Sequence, residues 1–170
     1  MNIRHARIGD EAAITNVHIK SWQAAYKGIL PDELLTNLSY DNRLKQWERA
    51  IHQPADDYGL FVAENDANDI IGFAACGRSR SLDKFPEYAG ELYAIYLLPD
   101  EFRKGIGRQL TDHVIRHLKS RKHHSMMIWV LEDNDACQFY KKVGGDFLGS
   151  DRLKIGNDYY TEIAYGWKEL

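Results

Sequence analysis

The chain has 170 residues, of which 44% are hydrophobic and 28% are charged, and these values predict one globular domain spanning residues 1–170. Its net charge of −3, from 22 Lys+Arg against 25 Asp+Glu, argues against broad nucleic-acid binding, which usually requires a basic surface. With only Cys76 and Cys137, no apolar signal segment in residues 1–10 and no run of about 18 apolar residues, we predict a cytoplasmic protein without a disulfide framework or a membrane span.

Apolar residues recur at helical spacing in some segments and form strand-like runs in others, with Gly, Pro and Asp between them. In chain order, we predict a strand at 2–8, a helix from Asp10 to about Tyr26, one or two amphipathic helices over 31–51, strands at 59–63 and 70–76, a polar loop at 78–89, a strand at 91–98, a helix at about 105–121, a strand at 125–131, a short helix at 134–143, and strands near 146–155 and 159–167. This order predicts a mixed α/β fold, in which helices pack on a mixed sheet.

The segment after the fourth predicted strand combines glycine with positive charge. Gly105 and Gly107 stand at the start of a predicted helix, although glycine within a helix costs about 1 kcal/mol relative to alanine. Bare N–H groups and the helix dipole attract phosphate at such a position, and Arg103, Lys104 and Arg108 would add to the attraction. The segment is either an anion site or an ordinary helix start with solvated basic residues.

Two known phosphate motifs can be compared with this segment. A P-loop requires G-x-x-x-x-G-K-[ST], which the chain lacks. The dinucleotide fingerprint G-x-G-x-x-G differs at its third glycine, where Leu110 stands, and that fold needs a tight turn directly after the strand. Glu132 could still take the place of the acid that binds the ribose, so a nicotinamide-dependent oxidoreductase is one alternative.

These residues resemble the GNAT superfamily of CoA-dependent N-acyltransferases. Its pyrophosphate motif, Q/R-x-x-G-x-G/A, aligns with 102–107, where Phe102 replaces the usual Gln or Arg. The segment NDACQFYKKVG at 134–144 resembles the N-x-x-A-x-x-F-Y-x-x-x-G-F helix, with Ala136 one position early. The segment WQAAYKGILP at 22–31 is similar to the first helix and its exit in a bacterial subset, so the resemblance covers nearly the whole chain.

The resemblance implies an α+β (mixed α/β) fold with a central mixed, mostly antiparallel sheet of about seven strands flanked by about four helices. It implies acetyl-CoA as the cosubstrate, whose pantetheine arm enters a gap between the strand before the glycine loop and the strand after the following helix. The residues implied to contact acetyl-CoA are Ile95, Tyr96 and Leu97 through their main chain, then Arg103, Lys104, Gly105, Ile106, Gly107 and Arg108, and finally Asn134, which is also suited to capping a helix.

Acetyl transfer to an amine benefits from a base, because deprotonating an alkylammonium of pKa about 10.4 at pH 7 costs roughly 4.6 kcal/mol. Glu91 lies 14 residues before Gly105, which matches the general-base glutamate in the histone-acetylating branch of the superfamily. Strand alternation would place Glu91 on one face with Tyr93, Ile95 and Leu97. The alternatives are a solvated carboxylate at the strand end and a base distributed over a water relay.

Tyr140 matches the acid of the superfamily. The leaving group is a thiolate, whose thiol has a pKa near 8.5, and a tyrosine hydroxyl can protonate it or donate a hydrogen bond to it. Without the resemblance, Ala136, Phe139, Tyr140 and Val143 would be interpreted as the apolar stripe of a short helix.

The acceptor is predicted to be a primary amine of a small molecule or a peptide. Trp22, Tyr26 and Trp47 belong to a region that commonly walls the acceptor site in the superfamily, or they are core aromatics. The mixed charges of residues 31–51 select no acceptor charge. A homodimer is common among such proteins, and a non-catalytic CoA-binding sensor on the same fold is a further alternative.

No metal site is predicted. His113 and His117 share a helix face, but Val114 stands where a zinc protease has glutamate. His123 and His124 follow in a basic run that is typical of solvated charges at a helix end.

Overall fold

The computed structural model describes all 170 residues of the chain. The elements are β1 (Asn2–His5), α1 (Glu11–Ala25), α2 (Asp32–Thr36), α3 (Tyr40–His52), β2 (Gly59–Glu64), β3 (Ile70–Arg78), β4 (Gly90–Leu97), a 3₁₀ turn (Pro99–Glu101), α4 (Ile106–Ser120), β5 (Met126–Leu131), α5 (Ala136–Lys142), β6 (Asp146–Ile155) and β7 (Asp158–Trp167). The order is the predicted one. Five helices form rather than about four, because the Ser39 side chain accepts a hydrogen bond from Asn42 N and starts α3 separately from α2. None of the helices combines the length and apolar character needed to cross a membrane.

One seven-stranded sheet, in the order β1-β2-β3-β4-β5-β7-β6, forms the centre of the molecule. All neighbouring strands are antiparallel except β4 and β5, which run parallel. This parallel pair is short, since only Gly90 pairs with Met126 and Glu91 with Met127. Beyond Glu91 the two strands separate, and the sheet contains the gap that the resemblance implied.

A β-bulge in β4 changes which side chains share a face. Ala75 pairs with Ala94 and Cys76 pairs with Leu92, so that Tyr93 is an additional residue in β4. Tyr93 and Ala94 therefore both pack with the cluster under α1 and α3. The prediction that Glu91 and Tyr93 share a face with Ile95 and Leu97 is wrong, because Ile95 and Leu97 pack in the cluster under α4.

Helices cover both faces of the sheet. The α4 helix buries a stripe of residues that are at most 2% exposed, and these are Ile106, Leu110, Val114 and Leu118. The α5 helix contributes to the same cluster, while α1 and α3 supply Ile14, Val17 and Trp47 to the opposite one. This two-sided cover explains why β2 and β3 are continuous apolar runs rather than alternating ones.

The segment between β3 and β4 is a loop, as its composition predicted, and it is attached to the sheet. Tyr88 is buried and packs against Met127 and Ala164. The Ser125 hydroxyl donates to Glu87 O at 2.8 Å and accepts from Ala89 N at 3.0 Å. The segment is thus fixed over the same face of the sheet on which α1 and α3 lie.

Candidate active site

The gap between β4 and β5 exposes backbone groups at the edge of β4. Leu98 N donates to Ile71 O of β3 at 2.9 Å. Alternation along an antiparallel pair then turns the N–H and C=O groups of Tyr96 toward β3, and those of Ile95 and Leu97 toward the gap. One of these is already used, because Ser21 Oγ of α1 donates to Leu97 O at 2.7 Å. The remaining groups can pair with an extended ligand that carries its own amide groups.

The N-terminus of α4 lies beside the same end of β4 and is left without a cap. Gly105 has a left-handed conformation with φ +80°, no side chain caps the helix, and no acidic residue stands in its first turn. The first intrahelical hydrogen bond runs from Gln109 N to Gly105 O at 3.2 Å. The N–H groups of Ile106, Gly107 and Arg108 consequently have no backbone partner and are available to an anion.

The two glycines leave room for such an anion. A Cβ atom added to Gly105 would meet nothing within 4 Å, although its positive φ favours glycine there. A Cβ added to Gly107 would be 3.8 Å from Phe139 and 3.9 Å from Leu97, which is ordinary contact. Packing within the chain therefore does not require glycine at position 107. The close approach of a ligand to the backbone would require it.

Three basic side chains surround this helix start. Arg103, Lys104 and Arg108 are all exposed, and Lys104 Nζ lies 3.1 Å from Glu101 Oε2. Arg103 also has a positive φ of 63°, so the chain turns sharply just before the helix. The predicted pyrophosphate residues are thus brought together in one basic, glycine-containing loop.

Tyr140 of α5 and Tyr96 of β4 pack on opposite faces of the sheet. Tyr140 is 5% exposed and packs with the α4 cluster, whereas Tyr96 packs with the α1 cluster. Burial raises the pKa of Tyr140, and the nearby Tyr96 raises it further. Tyr140 is therefore a protonated hydroxyl at neutral pH, as a hydrogen-bond donor at this position would need to be.

Asn134 precedes α5 and caps its first turn. The helix begins at Ala136, and Asp135 rather than Asn134 occupies the capping position. Asn134 Oδ1 nevertheless accepts a hydrogen bond from Ala136 N at 2.9 Å. The predicted capping role is present in this form, and the Asn134 side chain also acts on the Tyr26 hydroxyl.

Glu91 lies at the last paired position before the gap and is 1% exposed. Its carboxylate accepts from Arg80 N at 2.7 Å, and its Oε1 atom lies 2.6 Å from Arg80 Nη2. The Arg80 guanidinium also lies 4.5 Å from the centroid of the Tyr93 ring. The solvated carboxylate that was one alternative is not what the structure contains, since Glu91 is buried and ion-paired.

Aromatic side chains line the α1 side of the gap. We use the term aromatic wall for His18, Trp22, Tyr26 and Tyr96. The His18 and Tyr96 rings stack at 5.2 Å, the Trp22 and Tyr26 rings lie 4.9 Å apart, and the hydroxyl oxygens of Tyr26 and Tyr96 are 3.5 Å apart. Trp47 lies deeper, is 3% exposed and donates to His18 Nδ1 at 3.2 Å, so it belongs to the core behind the wall.

Two residues near the gap were missed by the sequence interpretation. Arg43 of α3 lies with its guanidinium 5.0 Å from the centroid of the Trp22 ring. Glu162 of β7 pairs with Leu131, is half-buried and forms no ion pair, and burial, followed by the charge of Asp151, raises its pKa. No local pattern marks either residue, because each acquires its place through contacts between distant segments.

Comparison with known proteins agrees with this geometry. Residues 19–145 match the profile of the Acetyltransferase (GNAT) family. The chain is 32% identical over 170 residues to the uncharacterized N-acetyltransferase YuaI of Bacillus subtilis (strain 168), covering 100% of this chain and 94% of YuaI. It is 30% identical over 161 residues to the L-amino acid N-acyltransferase MnaT of Escherichia coli (strain K12), covering 94% of this chain and 87% of MnaT.

A solved structure shows the same arrangement of elements. The structure of yncA, a putative acetyltransferase from Salmonella typhimurium with its cofactor acetyl-CoA, superposes with a TM-score of 0.70 at 25% identity, covering 98% of this chain and 92% of that one. None of these similarities supports the alternative of a nicotinamide-dependent oxidoreductase.

Proposed function

Because the chain belongs to the Acetyltransferase (GNAT) family and its cosubstrate is acetyl-CoA, we propose that it moves the acetyl group directly to a primary amine of a small molecule or a peptide. The observation that carries this proposal is the meeting of three features at one place. The gap between β4 and β5 opens beside the uncapped N-terminus of α4, and Tyr140 packs in the same cluster as Ile95 and Leu97 of the β4 edge. The acetyl donor, its leaving thiolate and the acceptor amine can therefore bind at the same place.

On the donor side, we propose that the loop 103–108 holds the pyrophosphate of acetyl-CoA through its bare N–H groups. The N–H and C=O groups of Ile95 and the N–H of Leu97 would pair with the amides of the pantetheine arm. An N–H at this strand edge would also meet the oxygen on which negative charge develops during acyl transfer. The unpaired backbone groups and the free space at Gly107 support this placement.

We assign the leaving-group role to Tyr140. The amine nitrogen forms a bond to the thioester carbon, the carbon–sulfur bond breaks, and the sulfur leaves with the electron pair. A thiol has a pKa near 8.5, whereas burial holds the pKa of Tyr140 well above the ordinary value for tyrosine. This order favours a hydrogen bond from Tyr140 to the thiolate over complete transfer of its proton.

We assign the base to Glu91, with Glu162 as the second candidate. Glu91 has the spacing that the resemblance implied, and Arg80 orients its carboxylate at the closed end of the gap. Glu162 is favoured by a different observation, because its carboxyl is half-buried without an ion-pair partner and its pKa is raised. A base of raised pKa retains more affinity for the proton of an ammonium group.

The amines to be tested as acceptors follow from the proposed reaction and from the named relatives. Small amines and peptides with a free N-terminus test the general proposal, and MnaT is named for L-amino acids, so free amino acids belong in the first set. Location in the cytoplasm and assembly as a homodimer stay predictions, which fractionation of cells and analytical ultracentrifugation would examine.

The proposed function is tested in two steps. Thermal unfolding with acetyl-CoA, NADH and ATP separately, each at about 100 times a trial dissociation constant, should give stabilisation by acetyl-CoA alone, corresponding to about 2.7 kcal/mol at that excess. Release of free thiol from acetyl-CoA should then depend on the added amine. Binding without turnover on any amine would instead identify a CoA sensor, and absence of binding would contradict the proposed donor site.

A further inference from the structure

Arg43 of α3 differs from Arg4, the other half-buried arginine. Arg4 binds two carboxylates of the chain at 2.6–2.7 Å, and even the mostly exposed Arg80 binds Glu91. Arg43 forms no ion pair, and the single hydrogen bond of its side chain is a 3.4 Å contact with Gln46 Oε1. A half-buried guanidinium has lost part of its hydration without gaining a counter-ion, and such a group favours an anion supplied by a ligand.

The Arg43 guanidinium is directed at the aromatic wall. It lies 5.0 Å from the centroid of the Trp22 ring, and its charge acts on His18 and on Tyr96. Burial lowers the pKa of His18 to about 3, so His18 is neutral at physiological pH. Arg43 therefore carries an uncompensated positive charge on the acceptor side of the gap.

Trp22 provides an independent observation at the same place. Its Nε1–H group is buried and has no hydrogen-bond partner, and it is the one buried side-chain nitrogen or oxygen in the protein for which this holds. Buried donors are almost always satisfied in native proteins, so an exception requires an explanation. The Nε1–H group faces the Tyr96 hydroxyl and acts on its pKa without completing a hydrogen bond to it, and a ligand oxygen beside Arg43 would satisfy it.

We propose that Arg43 and the Trp22 Nε1–H group form a carboxylate-binding subsite, and that the acceptor is a free amino acid whose carboxylate is held there while its amine reaches the gap. The planar guanidinium matches the two oxygens of a carboxylate. Tyr96 links the subsite to the gap, because it belongs to β4 and its ring stacks on His18 in the aromatic wall at 5.2 Å. The subsite rests on the proposed acetyl transfer and specifies its substrate class.

Other basic residues of the same region do not share these properties. Lys45 and Arg49 of α3 are exposed, and the cation–π contact with Trp22 comes from Arg43. Arg49 therefore supplies a matched control on the same helix. An exposed cation in water gains little binding free energy from a ligand carboxylate, whereas a half-buried cation gains more.

The test compares free L-amino acids with the corresponding amino-acid amides as acceptors of the intact protein, at saturating acetyl-CoA. Unmodified protein should acetylate the acids with kcat/KM at least about 100-fold above that for the amides, which lack the charge. Arg43→Gln should lower kcat/KM for the acids about 100-fold, mainly through KM, and leave the amides unchanged. Arg49→Gln should change neither, and Trp22→Phe should weaken the acids selectively and to a smaller extent.

The outcomes separate this proposal from the one on which it rests. Equal or better turnover of the amides, of polyamines or of peptides by unmodified protein would overturn the carboxylate subsite while leaving acetyl transfer intact. Loss of activity in Arg43→Gln on acids and amides alike, with an unchanged thermal shift by acetyl-CoA, would show that Arg43 is not specific for the carboxylate. Failure of acetyl-CoA to bind would refute the proposed function itself.

Discussion

Nη2 of Arg80 lies 2.6 Å from Oε1 of Glu91, and the side chains differ sharply in exposure, at 67% for Arg80 and 1% for Glu91. The two side chains of this ion pair therefore depend on each other to different extents. Glu91 depends on Arg80 and on the N–H of residue 80 for all its hydrogen bonds, whereas Arg80 can be hydrated when Glu91 is absent. Removing one partner should not be equivalent to removing the other.

Arg80→Ala should lower the free energy of unfolding by about 2 kcal/mol or more, because it leaves a buried carboxylate without its cation. Glu91→Gln should cost about 1 kcal/mol, since the exposed Arg80 can turn to water and the amide oxygen can still accept from the backbone. Urea unfolding of both variants, with the exposed Arg78→Ala as control, measures the difference. Equal costs for the two variants would contradict the asymmetry.

Kinetics of Glu91→Gln and Glu162→Gln should identify the base. Loss of a general base lowers kcat about 100-fold or more, and acetyl-CoA affinity should be unchanged because neither residue lies in the loop 103–108. We expect this loss for Glu91→Gln and a smaller effect for Glu162→Gln, measured by steady-state thiol release. A full loss in Glu162→Gln alone would move the base to β7 and leave Glu91 with a structural role.

Tyr140→Phe should lower kcat by about 100-fold or more while preserving the affinity for acetyl-CoA. The change removes only the hydroxyl, and the ring keeps its contacts with Tyr165 and Trp167 at 6.2 Å and 6.4 Å between centroids. Tyr165→Phe is a suitable control, because Tyr165 is buried on β7 outside the gap. Unchanged kcat in Tyr140→Phe would exclude its proposed role.

Gly107→Ala should weaken acetyl-CoA binding without lowering the free energy of unfolding. The added methyl group makes only ordinary contacts with Phe139 and Leu97, and alanine is a better helix residue than glycine by up to about 1 kcal/mol. The variant should be as stable as the unmodified protein or more so, yet bind acetyl-CoA at least about 10-fold more weakly, because backbone N–H groups can no longer be approached closely. Calorimetry with acetyl-CoA tests this, and Gln109→Ala on the exposed face of α4 is the control. Unaltered affinity would place the pyrophosphate elsewhere.

Stability should fall as the pH drops below about 6.5, in part because of His18. An unfolded histidine takes up a proton near pH 6.5, whereas the folded protein keeps His18 neutral until about pH 3, owing to burial and then to the charge of Arg43. The unfolded state thus binds more protons in this window, and acidification favours it by up to about 1.4 kcal/mol per pH unit.

His18→Gln should reduce this slope, since an amide oxygen can accept from Trp47 Nε1 without titrating. Urea unfolding at pH 7.5 and pH 5.5 gives the comparison, with the exposed His124→Gln as control. A slope that His18→Gln leaves unchanged would mean that other groups carry the pH dependence.

Most of the elements could be predicted from local patterns. The stripe Ile106, Leu110, Val114 and Leu118 repeats at helical spacing and forms the buried face of α4 as predicted. The apolar runs at 59–63 and 70–76 became β2 and β3. These segments were predictable because periodicity and the positions of Gly and Pro act within a few residues.

What the local patterns missed has a non-local cause. Simple alternation predicted one face for Glu91 and Ile95, and the bulge at Tyr93 reversed it. The composition of 78–89 correctly predicted a loop, but it did not predict that Tyr88 is buried against β5 and β7. In both cases the outcome depends on how a neighbouring strand pairs or packs, which a single segment does not encode.

By itself, the sequence determined the family resemblance, the order of the elements, the glycine loop at 105–107 and the candidates Tyr140 and Glu91, because each depends on residue types at short spacing. Only the tertiary structure decided that Glu91 is buried against Arg80, that Tyr96 stacks on His18 in the aromatic wall, and that Arg43 has no counter-ion beside Trp22. The physical reason is that burial and charge pairing depend on distances between segments that are remote along the chain, and these distances exist only once the strands have paired and the helices have packed on them.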